Sequence, residues 1–221
     1  MKKSNYNFIS KNRRPVEDKR FVTGHGNFVA DIDRPNMLHV AILACHEPSA
    51  SIDEIDFSAA LKMEGVIDVI TGKELAAATK PLMNGLDTPN VKRYSLAFEQ
   101  VRYAGEWVCA IVAKSRAIAE DASEKILLKT TSSKFVLDSE EALLPESPIV
   151  HKKHGSNILL EKKFVWGDVD KDFKKSNHKI SYKVNWGRNS TVPVETFGVV
   201  AEWNAWKNIL DVWASIQMPK F

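Results

Sequence analysis

No apolar run in this sequence approaches the roughly 20 residues a helix needs to cross a bilayer, so no membrane span is expected. Charge of one sign is lacking too. Its 31 Lys and Arg against 28 Asp and Glu leave only +3, and the lysines sit in short scattered clusters such as Lys152-Lys153 and Lys174-Lys175. That distribution reads as a solvated surface and not as a nucleic-acid face. Cysteine is scarce. Cys45 and Cys109 lie in apolar, strand-like runs with no partner at metal-ligand spacing, and are expected as buried free thiols of a reducing cytoplasm, neither metal ligands nor nucleophiles. The first 15 residues are basic but have no apolar signal core, so they are expected as a flexible arm and not a secretory leader. The pair Gly24-His25-Gly26 follows no strong strand and opens no helix, which fails the context a dinucleotide loop requires. It does permit a tight bend between Phe21 and Phe28. What is present, 44% hydrophobic and 27% charged residues over 221 positions, is ordinary globular composition for one large or two small domains.

Periodicity supplies the elements. Met37–Cys45 is nearly continuously apolar and reads as a buried strand, Ile52–Phe57 as a short edge strand or turn, and Val66–Ile70 as another strand. Ser58–Met63 reads as a short helix with Ser58 as its cap and Gly65 past its end, and Lys73–Ala78 as a further helical turn. The stretch Lys80–Arg93 reads as a long loop. Two β runs flank Gly105 within Val101–Ala113. Ser115 caps a helix whose apolar side is Ala117, Ile118, Ala122 and Ile126, and Leu127–Thr131 leaves it as a strand. Asp138–Leu144 is a short capped helix. Together these give an α+β class with a central sheet.

A boundary is expected between Pro145 and Asn157. Beyond it, Ile158–Phe164 reads as a strand, Gly167–Lys175 as a capped helix and His178–Trp186 as a long alternating strand. Asp168, Asp170 and Asp172 are spaced like the start of a calcium loop, but the glycine and the distal glutamate are missing, and a helix N-terminus explains them better. The last stretch is a hairpin. Val199, Ala201 and Trp203 alternate with Val200, Glu202 and Asn204, residues Asn204–Asn208 turn, and Ile209–Ile216 returns. Trp203, Trp206, Trp213 and Phe221 are more aromatic surface than a two-stranded ribbon can bury.

Several short motifs occur in one order. They are Arg20-Phe-Val-Thr-Gly-His-Gly-Asn-Phe-Val-Ala-Asp-Ile32, Val101-Arg-Tyr-Ala-Gly-Glu-Trp-Val108, Ala117-Ile-Ala-Glu-Asp-Ala122, Gly167-Asp-Val-Asp170 with Phe173, Pro193-Val-Glu195 with Gly198 and Ala201-Glu-Trp203, and Ser215-Ile-Gln-Met-Pro219. The set resembles the large, molybdenum-binding subunit of xanthine dehydrogenase, aldehyde oxidase and aerobic carbon monoxide dehydrogenase, in its N-terminal portion. Thr196-Phe197 and Lys220 depart from the family's usual residues at those places.

The resemblance implies an α/β hammerhead domain over residues 16–145, after the arm at 1–15, and the first strands of a molybdopterin-binding domain over 150–221. It implies a molybdenum hydroxylase, an oxidoreductase that hydroxylates an aldehyde, an N-heterocycle or CO with water-derived oxygen. Molybdopterin would be the cofactor, with FAD on a medium subunit and 2Fe-2S clusters on a small iron–sulfur subunit. Gln217 would lie beside the molybdenum ligands as the one cofactor-facing residue, and Glu195 would be structural. No catalytic residue or protein metal ligand is expected here, because the family's glycine-rich cofactor loop and its general-base glutamate would lie beyond Phe221. The chain is therefore expected to act with the remainder of the large subunit or a companion chain in the cytoplasm, and to be inactive alone. The alternative is a non-catalytic docking or assembly module derived from that subunit.

Overall fold

A computed structural model describes residues 8–9, 11–82 and 91–217. In chain order the elements are α1 (Asp18–Val22), a 3-10 turn (Val29–Asp31), β1 (His39–Cys45), β2 (Ala50–Asp56), α2 (Ser58–Leu61), β3 (Val66–Thr71), α3 (Gly72–Ala78), β4 (Gln100–Val101), β5 (Glu106–Ala113), α4 (Arg116–Ser123), β6 (Leu127–Ser132), a second 3-10 turn (Glu141–Leu143), α5 (Val169–Lys175), β7 (Val199–Asn204) and β8 (Ile209–Ala214). They fall into two compact units. One is residues 36–180, and the other joins residues 1–35 to 181–221. This division groups the chain differently from the domain limits expected from sequence, which set 16–35 with the following residues.

Within 36–180 the described residues form two antiparallel sheets in place of the single central sheet expected. Their orders are β1-β5-β3 and β4-β2-β6. The strands flanking Gly105 therefore belong to different sheets. Gly105 makes the corner with φ +89°, a conformation that favours glycine, and its N–H donates to the Cys45 carbonyl at 2.6 Å. Ala50–Asp56 is the middle strand of the second sheet and not an edge. Its alternating sequence could not reveal that both neighbours come from far along the chain.

The core follows from the apolar runs. Ile111, Val108 and Cys109 of β5 are fully buried, as are Ala60, Ala119 and Ala122. Helix α4 lies against β1 and β5, with Ser115 Oγ accepting from the Ile118 N–H at 3.3 Å as expected. Its buried stripe is Ala119, Ala122 and the following Ile126, whereas Ala117 faces outward. Ser58 is not the cap of α2. It is the first helical residue, and Asp56 Oδ1 accepts its N–H at 2.9 Å. Thr71 and Glu74 form a reciprocal capping box on α3. Gly72, which opens α3, has no room for a side chain: a Cβ there would lie 2.1 Å from the Ala97 carbonyl oxygen. Both cysteines are free and buried, and burial pushes the Cys109 thiol up to about 11.

Two expected strands are absent. Ile158–Phe164 and His178–Trp186 have no regular structure, and Ile180, Tyr182, Val184 and Trp186 are 88%, 86%, 72% and 84% exposed. Their alternation is real, but a strand exists only where a neighbour takes its backbone hydrogen bonds, and none does among the described residues. The loop expected over Lys80–Arg93 lies partly outside the described residues, at 83–90.

Candidate functional site: the hairpin and the segment that braces it

The hairpin forms where the alternation placed it. Strands β7 and β8 pair antiparallel from Val199↔Ala214 to Asn204↔Ile209. The turn is closed by Asn204 Oδ1 accepting from the Lys207 N–H at 3.1 Å, with Asn208 at φ +53°. The ladder continues one step further, as Ser215 N–H donates to the Gly198 carbonyl at 3.0 Å. One face carries Val200, Glu202 and Trp213, and the other carries Val199, Trp203, Leu210 and Val212, each about half exposed. Trp206, at the turn, is fully exposed.

The first of these faces is braced by the segment after Gly26. Phe21 and Phe28 stack with centroids 5.6 Å apart, the bend between them being the one Gly24, at φ +73°, allows. A 3-10 turn follows. Its N-terminal Val29 N–H donates to Glu195 Oε1 at 2.8 Å across 166 residues of sequence. Val29 Cγ1 also lies 3.3 Å from where a Cβ on Gly198 would project, so Gly198 admits this side chain against the backbone. Arg34 completes the brace. Its Nε donates to Glu202 Oε2 at 2.8 Å, its Nη2 bonds the same oxygen, and its guanidinium lies 5.3 Å over the Trp213 ring. Glu195 is thus a cap for a turn, which agrees with a structural role. Its partner Val29, and the Arg34–Glu202–Trp213 cluster, were not singled out from sequence. The signal that was available is the Gly-x-Gly motif itself, where Gly24 at φ +73° allows the bend that leads into Phe28–Arg34.

Gln217 follows the hairpin, three residues beyond β8, in a bend. It is exposed and has no hydrogen-bond partner among the described residues. Met218 and Pro219 of the same motif lie outside the described residues. Among the described residues no group of three or more His, Cys, Asp or Glu is placed to hold a metal ion. Asp168 caps α5, its Oδ1 accepting from the Lys171 N–H at 3.0 Å, as the helix-start reading expected. No helix of the described residues is long and apolar enough to cross a membrane. The polar side chain that follows the hairpin is a neutral carboxamide, able both to donate and to accept hydrogen bonds.

The architecture is that of a hammerhead domain followed by the start of a molybdopterin-binding domain. Residues 23–132 match the family profile described as "Aldehyde oxidase and xanthine dehydrogenase, a/b hammerhead domain", and residues 150–221 match "Molybdopterin cofactor-binding domain". Among similar proteins, the nicotine 6-hydroxylase large subunit of Paenarthrobacter nicotinovorans is 32% identical over 218 residues, covering 97% of this chain and 27% of that one. The carbon monoxide dehydrogenase large chain of Hydrogenophaga pseudoflava is 31% identical, covering 92% and 27%. The crystal structure of quinoline 2-oxidoreductase from Pseudomonas putida 86 superposes with a TM-score of 0.82 at 30% identity, covering 92% of this chain and 26% of that one. The chain belongs to the xanthine dehydrogenase, aldehyde oxidase and carbon monoxide dehydrogenase large-subunit family, and corresponds to its N-terminal portion. It spans about a quarter of the length of the relatives it matches.

Proposed function

We propose that this chain supplies one wall of a molybdenum hydroxylase active site and presents Gln217 to the cofactor there. The observation that supports the reading is the braced hairpin: Glu195 and Arg34 brace the strand pair that Gln217 follows, and the Gln217 carboxamide is exposed, with no hydrogen-bond partner among the described residues. Molybdopterin, when bound, carries the metal and supplies the two-electron and oxygen-transfer chemistry. Gln217 would donate a hydrogen bond to a non-protein ligand of that metal without becoming a ligand itself. The half-exposed face of Trp203, Leu210 and Val212 would be covered by the rest of the cofactor domain.

The activity belongs to a larger assembly in this reading. The reaction is hydroxylation of an aldehyde or N-heterocycle, or oxidation of CO. Electrons leave through 2Fe-2S clusters on a small subunit to FAD on a medium subunit, in the cytoplasm. The isolated chain is inactive. Metal analysis and dye-coupled oxidation of aldehydes, purines and CO by the purified chain test this. No metal and no turnover are expected from the chain alone, with both appearing when a companion polypeptide supplies the rest of the family's length. Turnover by the chain alone would overturn the reading, and a stable complex without molybdenum would favour a docking module.

A further inference from the structure

Gln217 has no hydrogen-bond partner among the described residues, so its place is inherited from the anchored residues before it. Ser215 is tied through its backbone to the Gly198 carbonyl at 3.0 Å. Trp213 is half-buried, with the Arg34 guanidinium 5.3 Å over its ring. Arg34 touches both strands of the hairpin. Its Nε donates to Glu202 Oε2 on β7 at 2.8 Å, its Nη2 bonds the same oxygen, and its face covers Trp213 on β8. These two partners are diagonal neighbours on one face, because Val200 pairs with Trp213 and Glu202 with Asp211. The same register sets two carboxylates, Glu202 and Asp211, directly opposite each other, where like charges oppose pairing. Arg34 places a cation on that pair. A lysine would bring the charge, but as a point, with neither the fixed fork nor the flat face that lies on the indole.

We propose that Arg34 is a positioning residue for Gln217: by clamping Glu202 to Trp213 across the two strands, it fixes the direction in which β8 leaves the hairpin and hence where the Gln217 carboxamide is held. The inference rests on the functional reading above, in which Gln217 faces the cofactor. Arg34 itself touches no reacting group in that reading. Its effect is confined to the geometry of the residues that follow Trp213.

The first test uses the full chain labelled with 15N, the Trp213 indole and Gln217 side-chain signals being assigned by their loss in Trp213→Phe and Gln217→Ala. In Arg34→Ala both signals should move, and exchange of the Ser215 amide should rise roughly threefold to tenfold while β5 amides keep their protection. Arg34→Lys keeps the charge and should move the same signals in the same direction by less, so it carries the test if Arg34→Ala fails to fold. Unmoved Trp213 and Gln217 signals in Arg34→Lys and in folded Arg34→Ala would overturn the inference. The second test uses the complex with a companion polypeptide and reads the molybdenum electron paramagnetic resonance signal after reduction. Arg34→Lys should change that signal when Gln217 is present and add nothing when Gln217 is alanine. A further change in the double variant would overturn action through Gln217. A signal indifferent to Gln217→Ala would instead refute the functional reading, and the chain measurement then judges Arg34 by itself.

Discussion

Replacing Glu195 with alanine removes the acceptor of the Val29 N–H, a 2.8 Å contact joining residues 166 apart in sequence. The acceptor is a carboxylate, and hydrogen bonds to charged groups contribute about 1.5–3 kcal/mol. Both residues are only part-buried, so water replaces some of the loss and a value around the bottom of that range applies, about 1–2 kcal/mol. Carboxylate loss should therefore speed opening of the brace by roughly fivefold to thirtyfold. Native-state amide exchange on the full chain reads this directly. Exchange of Val29 and Asp31, and of Ser215 at the other end of the hairpin, should accelerate, while β5 amides in the other unit stay unchanged. Glu195→Gln keeps an acceptor oxygen and should show a smaller effect. Equal protection in wild type and Glu195→Ala would refute the claim that this contact holds the hairpin. So would uniform loss across β5, which would make the residue a general stability determinant.

Gly72→Ala should be among the most damaging single-methyl additions in the chain, since the new Cβ meets backbone at the Ala97 carbonyl and not a movable side-chain tip; a loss of about 3 kcal/mol, seen as a melting temperature lower by roughly 10 °C, is expected. His151 has a folded-state pKa depressed below its unfolded value of 6.5. Its contribution is full above that value and is lost as pH falls through it, so urea midpoints should drop between pH 7.5 and 5.5, and His151→Asn should flatten that slope. Cys109, with its thiol raised to about 11, should resist a thiol reagent at pH 8 in the native chain and react once the chain is unfolded.

The elements most legible in the sequence were those whose pattern is local. The runs over β1, β3 and β5, the Ser115 cap of α4, the Asp168 cap of α5 and the β7–β8 alternation each carry their own signal within a few residues, and each appears where expected. What depended on distant partners was not legible. Ile158–Phe164 and His178–Trp186 have strand-like sequences but no neighbouring strand among the described residues. Likewise, Ala50–Asp56 looked like an edge until β4 and β6 were seen on either side of it. Ser58 against Asp56 shows a finer ambiguity, because two oxygen-bearing side chains two residues apart are both plausible caps. At the candidate site, the resemblance singled out Gln217, but nothing in the sequence pointed to the bracing of its hairpin by Val29 and Arg34. Those contacts join residues more than 160 apart, and no spacing rule connects them.

The claim that matters most is that this chain forms part of a molybdenum site. The direct measurement is the metal content of the chain purified with a companion polypeptide, comparing wild type with Gln217→Ala, alongside the electron paramagnetic resonance spectrum of the reduced samples. The account predicts stoichiometric molybdenum in the wild-type complex, none in this chain alone, and an altered molybdenum signal in Gln217→Ala with the complex still assembled. A wild-type complex that assembles without molybdenum, or a signal identical in Gln217→Ala, would contradict it.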